Sequence, residues 1–300
     1  MEKIIMARDF LSDLRNRLYD KIGIHDKKEY ILFSPSSQGK DLSHCTVEEI
    51  LPHLIVHSSM ATIESKEKIW VGTSMLMRFL SSFTNNLVVM ESGTPVGILG
   101  SREILQGIYN NHRNDFFTEH IVSEVMNKEF HMTSPKTKVF DLLKKMNRYG
   151  RDFALVQTTD NEYSTISARR LLEVGILCDT EVKVSDIPSK KIATFQKEDT
   201  IEFLMSEMLK KNTDILVLEQ TPFFVTPRTI FEKIIELNYL DGVDDFLYSK
   251  ASVLHMKTGC IISDNITVPE MCKIMLSKKH TFVMTQDNVL TPWDLIITLA

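Results

Sequence analysis

The chain is 300 residues long, with 43% hydrophobic and 25% charged residues; this excludes a disordered polymer and allows two domains or several small repeated units. A formal net charge of -5 and a pI near 6.0 give no broad attraction for nucleic acid or anionic membrane. The four cysteines, Cys45, Cys178, Cys260 and Cys272, form no CxxC pair, which argues against a disulfide framework or a zinc site and for the reducing cytoplasm.

Residues 1–55 stand apart as an N-terminal extension. Leu11, Leu14 and Leu18 mark one face of an amphipathic helix, "YILF" from Tyr30 reads as a strand, and "SPSSQGKDLSH" is a loop by composition. Charges run through the first twenty residues, unlike a signal peptide. No apolar run approaches the roughly 18 residues that a membrane span requires. The extension is expected to pack on the rest of the chain or on a second copy, with a membrane or partner helix as the alternative. Gly39-Lys40 lacks the remainder of a phosphate loop, and His53 and His57 lack a third ligand for a metal.

The remaining chain is one unit written four times, over about 56–112, 120–178, 180–240 and 246–300. The repetition is plainest between "VSEVMNKEFHMTSPKTKVFDLLKKMNRYGRDFALV" from Val122 and "VSDIPSKKIATFQKEDTIEFLMSEMLKKNTDILVL" from Val184. These align without a gap at an offset of 62, so that Met146 meets Met208 and Asp152 meets Asp214. Each unit has a short extended stretch ("HMTS", "IATF", "CIIS") and then a helix with apolar residues at i, i+3, i+4 and i+7. Val139, Leu142, Leu143 and Met146 form one such face, and Ile201, Leu204, Met205 and Met208 another. A buried-looking run follows ("LVVM", "FALV", "ILVL", "FVM"), then a turn such as Gly93-Thr94-Pro95, a second strand and a short helix. The order β-α-β-β-α predicts an α/β fold of the α+β kind, a small sheet with helices on one side. Units this small must share a core, so two tandem pairs are expected, 56–178 and 179–300.

Within the fourth unit, "VLTPWDLI" carries a helix start: Thr291 as N-cap, Pro292 at the first helical position and Asp294 completing a capping box. No GxSxG, no HExxH and no readable pair of catalytic acids occurs. The lysine pairs at 144–145, 190–191, 210–211 and 278–279 recur at equivalent helix positions, which marks a solvated face.

The fourfold pattern around "VSDI…DTIEFLMSEMLKKN" closely resembles the CBS domain family, over roughly residues 56–300. The four-unit layout is similar to that of the disk-shaped nucleotide-sensing gamma subunits of the AMP-activated kinase. That resemblance implies a non-enzymatic regulatory protein whose clefts bind AMP, ADP, ATP or S-adenosylmethionine and whose state is read by a partner protein. A homodimer through the N-terminal segment is one assembly open to it. The alternative is an interaction scaffold with degenerate sites.

The family's ribose-contacting motif is a glycine, two apolar residues, Thr or Ser, two further residues, then Asp or Asn. A hydroxyl and a carboxylate at this spacing flank a helix N-terminus and can meet the two ribose hydroxyls. The fourth unit has Thr291 and Asp294, with Asn288 in place of the glycine. The third has Thr226 but Thr229 at the acid position; the second has Ser167 but Arg170. The first keeps Gly97 but has Gly100 and Glu103. His280, with Arg151 as its counterpart, falls where the family places a basic residue near phosphate. The candidate ligand residues are thus Thr291, Asp294, Thr226, His280 and Ser167, with no metal or required cofactor.

Overall fold

The computed structural model describes residues 45–50, 60–79, 86–111, 115–159, 162–188, 192–236, 246–278, 280–286 and 288–299. The helix at Leu11–Leu18, the strand from Tyr30, the Gly39-Lys40 dipeptide and the His53/His57 pair lie outside them. A four-residue helix α1 (Val47–Ile50) precedes the first repeat, which is β1 (Thr62–Glu64), α2 (Ile69–Phe79), β2 (Asn86–Glu91), β3 (Thr94–Gly100) and α3 (Ser101–Asn110). Two short helices, α4 (Phe116–Glu119) and α5 (Val122–Val125), lead to the second: β4 (Met132–Thr133), α6 (Val139–Arg148), β5 (Phe153–Thr159), β6 (Glu162–Ser167) and α7 (Ala168–Gly175). The third is β7 (Thr194–Phe195), α8 (Ile201–Lys211), β8 (Leu216–Leu218), β9 (Phe223–Val225) and α9 (Pro227–Glu236). After β10 (Lys257–Thr258), the fourth continues with α10 (Val268–Ser277), β11 (Val283–Met284), β12 (Val289–Leu290) and α11 (Pro292–Leu299).

The expected order β-α-β-β-α is thus present, in a mixed α/β fold. In the first three repeats the first strand runs parallel to the second, and the second antiparallel to the third. The turn between β2 and β3 sits on Ser92 and Gly93, both at positive φ (51° and 81°), one residue earlier than the Gly-Thr-Pro signal suggests. Positive φ at both central residues gives the twist a two-residue hairpin needs. The fourth repeat departs: "CIIS" is reduced to one parallel bridge, Ile261 with Met284, while β10 joins the third repeat's sheet beside β9.

Short leader segments tie the repeats together by exchange. The Val47 N–H donates to the Thr137 carbonyl at 2.9 Å and the Val139 N–H returns a bond to Cys45 at 2.8 Å, so the leader of the first repeat sits on the second. The leader of the second sits on the first: Val122 to Glu67 at 2.8 Å and Ile69 to His120 at 3.1 Å. The same four-atom pattern joins Val184 to Ile266 (2.9 Å) with Val268 to Val182 (2.8 Å), and Ala251 to Asp199 (2.7 Å) with Ile201 to Ser249 (3.0 Å). The small apolar residue at the centre of each leader, Val47, Val122, Val184 or Ala251, is buried. A backbone pair that satisfies itself across two units can be buried at little cost, whereas an open one cannot. Residues 45–50, grouped with the extension by sequence, play in the second repeat the part that 122–125 plays in the first.

Two kinds of apolar contact complete the packing. Between the sheets of repeats one and two lie Val88, Ile98, Phe153 and Leu155; between those of three and four, Phe224 meets Phe282 edge to face at 4.4 Å. The larger clusters run the other way: helices of repeat one pack on repeat three, and α7 of repeat two packs on α10 and α11 of repeat four. Gly175 allows that approach, since a Cβ there would lie 2.9 Å from the Cys272 sulfur. Each repeat therefore has two neighbours, a sheet partner and a helix partner. Among the described residues no helix is long and apolar enough to cross a membrane.

Val184→Asp places an unpaired charge in a buried leader and should destabilise the protein by several kcal/mol. Ser185→Ala, at the exposed next position, should stay within about 0.5 kcal/mol. Denaturant unfolding of both variants checks this; similar losses would contradict the leader's role.

Candidate ligand-binding site

Antiparallel pairing fixes where each repeat presents polar groups. Asn86 at the start of β2 lies opposite Gly100 at the end of β3, and Phe153 opposite Ser167, Leu216 opposite Val225 and Val283 opposite Leu290 repeat this. The residues just before the second strand and those opening the last helix therefore share one edge of every unit. Where the four units meet, these edges line a cavity of about 720 Å³. Asn86, Ser101 and Arg102 come from the first repeat, and Met146, Arg151 and Asp152 from the second. The third supplies Ile192, Ala193, Asp214, Ile215 and Val217, and the fourth Val289, Thr291, Trp293 and Asp294.

In the fourth repeat the acid half of the expected capping box forms, while the Asp294 N–H donates to the Thr291 carbonyl at 3.1 Å. One carboxylate oxygen of Asp294, itself buried, accepts from the Thr291 N–H at 2.8 Å and from the Thr291 hydroxyl at 2.7 Å. The pair caps α11 and faces the cavity, so the two readings of this spacing are compatible. The other proposed site residues are elsewhere. Thr226 faces Thr229, their hydroxyls 3.3 Å apart, and Ser167 caps α7 by accepting from the Arg170 N–H at 3.3 Å. Buried Arg170 donates to the Thr165 carbonyl at 3.4 Å. The His280 carbonyl accepts from the Arg169 guanidinium. Burial, with Lys278 and Arg169 adding repulsion, holds the His280 imidazole below its ordinary pKa. Thr226, Ser167 and His280 do not line the cavity.

Arg102, Arg151, Asp152 and Asp214 do, and of these the sequence reading gave a role only to Arg151, as the counterpart of His280. Glu103 accepts from the Gly100 N–H at 2.8 Å and pairs with the Arg151 guanidinium, joining repeats one and two. The Arg102 guanidinium donates to the Asn212 side chain, joining repeats one and three. Asp152 and Asp214 occupy one repeat position and are close enough to repel. Burial pushes the Asp152 carboxyl up, opposed by its own backbone and by Arg151. Burial, then Asp152 and Glu103, push Asp214 up to about 6, while Arg102 and Arg151 hold it down. Asp214 is exposed to the solvent of the cavity it lines, although the fold crowds it closely, and that solvent moderates the upward push. One signal could have found this pair: an acid repeated at offset 62 immediately before a buried strand.

No family model matches the sequence, and no curated protein matches it. Solved structures do. A protein of Methanocaldococcus jannaschii, described as a proposed archaeal homologue of gamma-AMPK, is matched over 83% of this chain and 99% of its own, with a TM-score of 0.72 at 12% identity. The chain has the CBS-domain fold. An uncharacterised conserved protein of Pyrococcus horikoshii is matched over 81% of this chain and 96% of its own, at a TM-score of 0.51 and 10% identity. A CBS-domain protein of Agrobacterium tumefaciens is matched over 44% of this chain and 93% of its own, with a TM-score of 0.38 and 14% identity. At these identities the likeness of the first two speaks for the fold alone; the cavity residues have to be argued on their own geometry.

The folded protein binds the Asp214 proton more tightly than an unfolded chain, where an aspartate titrates near 3.9. Its ionisation therefore costs stability at neutral pH, and the cost is relieved as pH falls from about 6 towards about 4. Asp214→Asn should unfold at higher denaturant than the parent at pH 7.5, with the difference vanishing near pH 4. An advantage at pH 4 that disappears at pH 7.5 would contradict this assignment.

Proposed function

We propose that this protein is a regulatory sensor rather than an enzyme, and that its central cavity binds an adenosine-containing ligand: AMP, ADP, ATP or S-adenosylmethionine. One observation carries the reading. The cavity lining combines apolar side chains, of which Ile192, Ile215, Val217 and Val289 pack in one cluster, with the Thr291–Asp294 pair and Trp293. A purine needs such an apolar lining and gains from an aromatic neighbour. A ribose cis-diol can take over the bond between the Thr291 hydroxyl and Asp294, because a carboxylate accepts from two hydroxyls and a threonine oxygen accepts a third bond. The likeness to the proposed gamma-AMPK homologue supports a regulatory role.

The cavity touches all four repeats, so a ligand there bears on both kinds of repeat contact. If one arrangement of the repeats holds it better, binding shifts the population towards that arrangement, and a partner protein reads the change. The scaffold reading is favoured by the other three positions: Arg170 is bonded to its own strand, Thr229 to Thr226, and Glu103 to Arg151. The two readings part over the fourth repeat alone.

Calorimetric titration with AMP, ADP, ATP and S-adenosylmethionine should find saturable binding of at least one. Asp294→Ala should weaken it about tenfold or more, the cost of losing a charged hydrogen-bond acceptor. Binding by none of the four would leave the scaffold as the better account.

A further inference from the structure

The cavity's charged groups sort its possible ligands. Three cations line it, and each already has a partner: Arg151 pairs with Glu103, Lys211 lies 2.6 Å from Glu207, and Arg102 donates to Asn212. Three carboxylates line it too: Asp152, Asp214 and Asp294. With Glu103 and Glu207 counted beside their partners, the acids outnumber the bases by two among the described residues. Asp294 is held by Thr291, whereas the Asp152 carboxyl has only its own backbone amide, and Asp214 lies beside it with Arg102 and Arg151 as the cations in reach.

We infer that the cavity selects its ligand by charge: Asp152 and Asp214 receive a cationic group, an ammonium or sulfonium, attached to the adenosine, and a polyphosphate is disfavoured. This rests on the adenosine reading above and narrows it. Two carboxylates that repel one another across a shared space are relieved by a cation between them and strained further by a phosphate. The upward push on Asp214 comes first from burial and then from Asp152 and Glu103, and Arg102 and Arg151 only partly offset it. The usual donors for a phosphate are engaged: at the start of α11 the Thr291 N–H and hydroxyl are bonded to Asp294, and the guanidinium of Arg151 is bonded to Glu103. Neither acid position is accidental in the fold. Asp152 sits directly before β5 and Asp214 two residues before β8, each lining the cavity where the units meet.

The test is calorimetry on the full chain at pH 7.5 with three probes that share purine and ribose: S-adenosylmethionine (cationic), 5′-methylthioadenosine (neutral at the same position) and ATP. The cationic probe should bind roughly tenfold more tightly than the neutral one, and ATP more weakly than either. Asp214→Asn and Asp152→Asn should each shrink the preference for the cationic probe severalfold while leaving the neutral probe's affinity within about twofold. Circular dichroism checks that the variants are folded. ATP binding as tightly as S-adenosylmethionine, or a preference unchanged in both variants, overturns this inference and leaves the adenosine reading standing. Binding by none of the three overturns both.

Discussion

The structure depends on a reciprocal exchange of backbone hydrogen bonds. A four-residue leader cannot hold its own N–H and C=O groups in apolar surroundings, and a single small repeat cannot bury a core. Each repeat solves both problems by lending its leader to a neighbour and accepting that neighbour's leader in return. The buried valine or alanine at the centre of each leader fills space under the partner's helix, and the bonds on either side fix the register. Because the loan is mutual, it links repeats only in twos. A second contact, helix against helix, then joins the twos into four.

The position of the cavity follows. Sheet contacts hold one with two and three with four; helix contacts hold one with three and two with four. Four units held in this cycle turn the same edge inward, and that edge is where antiparallel pairing brings a strand's first residue beside a helix's first turn. The central space is therefore lined by residues from corresponding places in different copies, and its chemistry is set by how those copies have diverged. Copy four kept a hydroxyl and an acid at the helix start. Copies two and three kept an acid before the strand. Copy one turned its helix-start acid, Glu103, to binding Arg151 of copy two.

Much of this was legible in the residues. The period near 60, the helix faces headed by Val139 and Ile201, and the pairing of Asp294 with Thr291 are local patterns, and local patterns survive translation into structure. The first strand of the fourth unit was less so. "CIIS" has the composition of a strand, but only Ile261 pairs with Met284, and β10 spends its bonds on the preceding unit. Side-chain composition does not say which of two adjacent sheets a short segment will join. The leaders were half visible: Val122 aligned with Val184, yet nothing in one sequence says that a segment will be held by another unit. Nor could spacing alone separate Thr291, which faces the shared cavity, from Thr226 and Ser167, which do not. All three cap or begin a helix; the difference lies in the neighbouring units packed over them.

The most direct measurement is native-state amide hydrogen exchange over the leaders at 45–50, 121–125, 183–187 and 249–254. If mutual loans hold the repeats together, the amides of Val47, Val122, Val184 and Ala251 should exchange as slowly as those of the central strands, because opening any of them requires separating two units. Exchange as fast as in surface turns would contradict the account, since repeats that stay folded while their leaders open are not joined by them.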